Sequence, residues 1–150
     1  MNKERLLKLA DYVDDNVSPL KFSMSSFFSR SVTKLDDLHS CGTTACLAGW
    51  ACNIPEFQKA GLATKVYSQF NPYVVPSYEG SETFTAMEKF FDLTEEQAEY
   101  LFGEYSDQGE TIDRKNERPE DATRRIRRLV ETGVCEWEES DDSYDEDQEE

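Results

Sequence analysis

No run of about 18 apolar residues occurs anywhere in the chain, so the sequence offers no membrane-spanning helix of the usual length. The first residues, Met1-Asn2-Lys3-Glu4-Arg5, lead into an amphipathic pattern and not into the apolar core of an export signal. The expected location is therefore the cytoplasm, without membrane contact. A glycine-rich phosphate loop, a dinucleotide fingerprint and a His-Glu-x-x-His pattern are all missing. Histidine occurs once, at His39, so any Ser-His-Asp site or Cys-His pair must use that residue, two positions from Cys41 in a polar stretch. Neighbouring positions rarely give that geometry. No pair among the 32 carboxylates can be singled out for hydrolysis. These absences argue against an enzyme, and no cofactor is expected.

Basic residues are missing from positions 136–150, which hold ten of the acids. The formal net charge is −16, so residues 1–135 carry only −6 of it. A field of this sign repels nucleic acid and acidic membrane surfaces, and it speeds encounters with basic protein patches. Direct nucleic-acid binding is disfavoured; a protein with a basic surface is the partner that fits.

What the chain does have is enough length and apolar content for one domain with a real core, at 150 residues and 37% hydrophobic. Leu6, Leu7, Leu9, Ala10 and Val13 fall at helical spacing behind Asn2, a good cap, which predicts a helix to about Asp15. The stretch to Val32 has poor periodicity and reads as a loop anchored by Phe22, Met24, Phe27 and Phe28. Thr43 or Thr44 caps a second, buried helix running to about Cys52, and Pro55 starts a short turn that Gly61 stops. At most a strand pair fits between Val66 and Tyr78. Ser81 opens a helix through Phe91. Thr94-Glu95-Glu96-Gln97 has capping-box spacing for the next helix, which Gly103 ends. Residues 104–117 read as an exposed polar loop. Pro119 begins the last helix, with a stripe of Ala122, Ile126, Leu129 and Val130 and a stop at Gly133. The expected fold is mainly α, a compact bundle of about five short helices with room for a short two-stranded element near residues 66–78. Residues 1–135 form a single helical domain, and 136–150 a disordered acidic C-terminal tail.

The most distinctive segment is Cys41-Gly42-Thr43-Thr44-Ala45-Cys46-Leu47-Ala48-Gly49-Trp50-Ala51. It resembles the Cys-Gly-Thr-x-Ala-Cys-x-x-Gly-Trp signature of a family of small uncharacterised phage and bacterial proteins. In that family an amphipathic helix precedes the signature and a phenylalanine-rich segment with a Leu-Thr-Glu-Glu turn comes after it, as Phe90 to Glu96 do here. The likeness covers most of residues 1–132 and leaves the tail outside. It implies a phage or mobile-element origin and no reaction. Read physically, Gly49 lets another element pack close, and Trp50 is a large buried anchor.

The four cysteines Cys41, Cys46, Cys52 and Cys135 sit in a chain with no export signal and read first as reduced packing thiols. The alternative is a small metal-binding or redox-active module built on His39, Cys41, Cys46 and Cys52. Its His-x-Cys-x4-Cys spacing over His39, Cys41 and Cys46 is unusual for zinc and needs Cys52 or Cys135 as the fourth ligand. Arg124, Arg125, Arg127 and Arg128 form the one dense basic cluster. It reads as a solvated face with four-residue pairs Glu120 to Arg124, Asp121 to Arg125 and Arg127 to Glu131, which the tail can also reach back to cover.

Most charge runs only keep a protein soluble, and a regulatory or structural scaffold with a solubilising tail is one reading. The sharper one is a non-enzymatic acidic inhibitor encoded by a phage or mobile element. It would bind a host defence protein with a basic nucleic-acid-binding surface, presenting carboxylates where phosphates lie, with Trp137 and Tyr144 stacking as bases do. The partner-binding residues expected on that reading are Glu110, Asp113, Glu136, Trp137, Asp141, Asp142, Tyr144 and Asp145. Acids at 104, 107, 110, 113, 117, 120 and 121 are expected to extend the negative surface onto the folded body.

Overall fold

The computed structural model describes residues 1–24, 27–28, 44–67, 73–103 and 117–135. Among them are six α-helices and a small three-stranded antiparallel sheet, so the protein is mainly α with a short strand element. None of the helices is long and apolar enough to cross a membrane.

Helix α1 (Lys3–Asn16) starts where expected, with Asn2 Oδ1 accepting the Arg5 amide at 3.1 Å. Leu6, Leu9, Ala10 and Val13 are fully buried along one stripe, while Leu7 faces outward and is 39% exposed. A single 3₁₀ turn, Pro19–Lys21, comes next. Phe22, Met24 and Phe28 then enter the core, as their apolar character predicts.

Helix α2 (Leu47–Ala51) is shorter than the sequence suggests and begins after Cys46, not after a threonine cap. The reason lies in Ala45, whose backbone bridges to both Phe22 and Phe28. Its amide donates to the Lys21 carbonyl at 3.1 Å and its carbonyl accepts from Ser23 at 3.1 Å, so Ala45 is extended backbone and the helix starts after it. A Cβ on Gly49 would collide with the Phe27 carbonyl oxygen and stand 2.8 Å from Ala45 Cβ. The close approach expected of that glycine is therefore made by the backbone at Phe27. Trp50 is 4% exposed, and its indole Nε1 donates to the Lys21 carbonyl at 3.0 Å. Pro55 opens α3 (Pro55–Lys59), which buries Phe57.

Strands β1 (Ala63–Tyr67) and β2 (Tyr73–Tyr78) pair with Val66 opposite Val74, and β3 (Ser81–Glu82) pairs with the end of β2. The element thus has one strand more than the sequence suggests and begins three residues earlier. Glu79 and Gly80 both have positive φ, 49° and 80°, which is the two-residue turn that matches the twist of an antiparallel hairpin. This turn puts Ser81 in a strand where helical periodicity placed a helix start. β3 pairs only with Ser77 and Tyr78, so Pro76 in the middle strand faces no ladder partner on that side.

Helix α4 (Thr83–Phe91) continues directly from the hairpin, with Thr83 in the left-handed region at φ 57°. Phe90 and Phe91 are adjacent, hence about 100° apart around the helix, and both are essentially fully buried. That is possible because β2, α5 and α1 all pack on α4. Phe57, Phe91 and Tyr78 surround Phe90 with ring centroids 4.9, 5.0 and 5.1 Å away, all edge-to-face. Asp92 closes α4 in the left-handed conformation, and the Leu93 amide returns to the Glu88 carbonyl at 2.8 Å. The capping box of α5 (Glu95–Phe102) is present as its spacing predicts: Thr94 Oγ1 accepts from the Gln97 amide at 3.1 Å and Gln97 Oε1 from the Thr94 amide at 2.9 Å. Helix α6 (Pro119–Thr132) buries Ala122, Ile126 and Leu129 and ends at Gly133 with φ 74°.

Candidate interaction surface

The arginine-rich face of α6 is organised differently from the four-residue arithmetic of its sequence. Arg125 belongs to the buried side: it lies three residues after Ala122 and four before Leu129, within the apolar stripe, and its side chain is 4% exposed. Its Nη1 and Nη2 reach Glu117 at 2.5 and 3.0 Å, a two-pronged pair, and Nη2 also donates to the Leu101 carbonyl at 3.2 Å. Asp121, the expected partner, instead accepts the Arg118 amide at 3.0 Å and pairs with Arg124 at 3.2 Å. Glu120 pairs with Arg118 at 2.8 Å.

Arg127 crosses to α1. Its Nη1 lies 2.7 Å from Asp14 and its Nη2 3.0 Å from Asp11. The Asp14 carboxylate also accepts the Thr123 hydroxyl at 2.9 Å. The hydrogen bond donated to Asp14 is the main reason the Arg127 pKa rises, against partial burial, with Asp11 adding to it. Pairing 14 with 123 and 11 with 127 sets α1 and α6 antiparallel, and no other two elements share so much contact. The face is therefore not simply solvated: Arg124, Arg125 and Arg127 are bound to carboxylates of residues 1–135.

This arrangement changes what the acids at 104–121 contribute. Glu117, 11% exposed, is an internal counter-ion and adds nothing to an outer negative surface, and Glu120 and Asp121 are each engaged by an arginine. Glu104, Asp107, Glu110 and Asp113 lie outside the described residues, as do Glu136, Trp137, Asp141, Asp142, Tyr144 and Asp145. All eight expected partner-binding residues therefore lie outside the described residues. The engaged pairs at 117–121 could have been anticipated in part from Arg125 falling on the apolar stripe.

His39 and Cys41 also lie outside the described residues. Cys46 and Cys52 are buried, at 2% and 0% exposure, and Cys135 is partly buried. Burial pushes the Cys52 thiol far up, with Cys46 adding to the shift, so its thiolate is suppressed. Its Sγ lies 3.5 Å from the Ala63 carbonyl as a weak donor. Among the described residues no group of three or more His, Cys, Asp or Glu is placed to hold a metal ion.

No family model matches the chain, and neither a curated protein nor a solved structure matches it.

Proposed function

We propose that the protein is a non-enzymatic acidic inhibitor, encoded by a phage or mobile element, which binds a host defence protein on a basic nucleic-acid-binding surface. The observation that carries this reading is how the charge divides. Arg124, Arg125 and Arg127, in the densest basic cluster of the chain, are bound to Asp121, Glu117, Asp14 and Asp11. They are therefore poor bait for nucleic acid, whose phosphates would have to displace those carboxylates. The ten acids of residues 136–150 have no base among them. Such a segment attracts a basic groove over the range of a Debye length and offers it carboxylates in place of phosphates. The origin rests on the resemblance of the segment 41–51 to the phage and bacterial signature.

The test is capture of host proteins on the intact chain and on a chain ending at Cys135, with titration of the captured partner at several salt concentrations. Charge mimicry predicts that affinity falls steeply with salt and is lost with residues 136–150. Equal affinity for the two chains, unchanged by salt, would falsify it. A shortened chain that keeps its partners but aggregates would show that the segment serves solubility alone.

A further inference from the structure

The Arg125 guanidinium touches two places far apart in sequence: the Leu101 carbonyl in the last turn of α5 and the Glu117 carboxylate just before α6. Helix α5 has no basic residue in its last turn, where its carbonyls lack intrahelical donors and the helix dipole calls for a cation. Arg125 supplies that cation from the second turn of α6. The exit from α5 is tight. Gly103 is buried, and a Cβ there would stand 2.9 Å from the Glu99 carbonyl oxygen. On the other side, Glu117 is held at a fixed distance from α6 by both of its oxygens.

We infer that Arg125 is a positioning residue that couples the end of α5 to the start of α6, fixing both stems of residues 104–116 to one guanidinium. The sequence between these two ends carries Glu104, Asp107, Glu110 and Asp113, so one buried cation holds the described residues on either side of this acidic stretch. Three features make the coupling specific. The arginine fork holds Glu117 through two parallel bonds, which a single point charge cannot do. The pair is shielded from salt by burial, unlike the Arg124 and Arg127 pairs on the same helix. Finally, the fork addresses a carboxylate and a backbone carbonyl at once, so loss of either contact loosens the other. The coupling belongs to the free protein and stands apart from any partner of residues 136–150.

The experiment is residue-resolved amide exchange on the full chain, comparing Glu117→Gln and Arg125→Lys with the wild type and with Arg124→Gln. Two amides report the stems: Gly103, bonded to the Glu99 carbonyl at 2.9 Å, and Asp121, bonded to the Arg118 carbonyl at 3.0 Å. Coupling predicts that Glu117→Gln speeds exchange at Gly103 on the order of tenfold or more, although the substitution lies on the other stem. Arg125→Lys is expected to do the same to a smaller degree, because it keeps the charge and loses the fork. Arg124→Gln should leave Gly103 alone. The inference is overturned if Gly103 exchange is unchanged in both variants, or rises only in step with Leu9 and Ala10 in the core of α1.

Discussion

Arg127 on α6 reaches Asp14 on α1 with its Nη1 2.7 Å from the Asp14 Oδ2, joining residues 113 positions apart in the chain. Four-residue spacing would have paired Arg127 with Glu131 on its own helix. The choice of Asp14 stems from the antiparallel packing of α1 on α6, which puts two aspartates under one guanidinium and the Thr123 hydroxyl beside them.

That seam and the Arg125 pair should respond very differently to substitution. The Arg127 side chain is 41% exposed, so water and salt screen it, and Arg127→Gln is expected to cost about 1 kcal/mol or less. Arg125→Met leaves Glu117 as a nearly buried, uncompensated charge and is expected to cost about 3–5 kcal/mol. Urea midpoints for the two variants, with unchanged m values, check the contrast. Equal losses would mean that the Arg125 pair is as well solvated as the surface one.

Gly49→Ala is expected to destabilise the fold by about 1–3 kcal/mol, because its Cβ would collide with the Phe27 carbonyl oxygen. Backbone cannot rotate away as a flexible side chain would. The same substitution at Gly80, where a Cβ meets no atom within 4 Å but φ is 80°, separates steric collision from backbone strain. Thermal unfolding of both variants reads the difference.

Thr83→Gly is expected to be neutral or to stabilise by up to about 1 kcal/mol, opposite to the usual effect of glycine at a helix start. A β-branched residue at φ 57° is strained, and glycine removes the strain at the cost of the hydroxyl bond to the Glu82 carbonyl at 2.7 Å. A clear loss of denaturant stability would place the weight on that hydrogen bond instead.

The Lys8 and Glu56 pair gives a pH signature. Hydrogen bonding to Lys8 Nζ at 2.8 Å lowers the Glu56 pKa below its ordinary 4.5, and the same contact raises that of Lys8. A carboxylate with a depressed folded-state pKa contributes stability above its unfolded value, and the contribution disappears as pH falls through the folded value. Glu56→Gln should therefore differ from wild type at about pH 6 and converge with it in acid, below the ordinary carboxylate range. Both groups are exposed, so the difference is small. Stability curves that stay parallel down to the acid transition would show that the pair contributes nothing.

The helices that could be read from sequence are those whose signals are local. Asn2 and Thr94 cap the helices that begin beside them, Gly133 stops α6, and Leu6, Leu9, Ala10 and Val13 mark one face by spacing alone. What sequence could not show depends on partners distant in the chain. Ala45 is extended because Phe22 and Phe28 bridge to it, so the helix expected from Thr43 or Thr44 starts late. Glu79-Gly80 is a hairpin turn only because β2 exists to pair with Ser81. Arg125 reads as a surface charge until α5 and Glu117 are brought around it. Of the expected site, the residues chosen lie at positions 110, 113 and 136–145, outside the described residues, and the described acids Glu117, Glu120 and Asp121 are each engaged by an arginine.

The chain has two tryptophans, and they fall on opposite sides of this division. Trp50 is enclosed in the core with its indole bonded to Lys21, whereas Trp137 belongs to the acidic segment. Their emission can be separated by one substitution each. Trp137→Phe leaves a single emitter whose wavelength tracks the packing of α2, and Trp50→Phe leaves one that tracks residues 136–150. Trp50 emission can thus be followed during unfolding, and Trp137 emission while the proposed partner is titrated, without an added label.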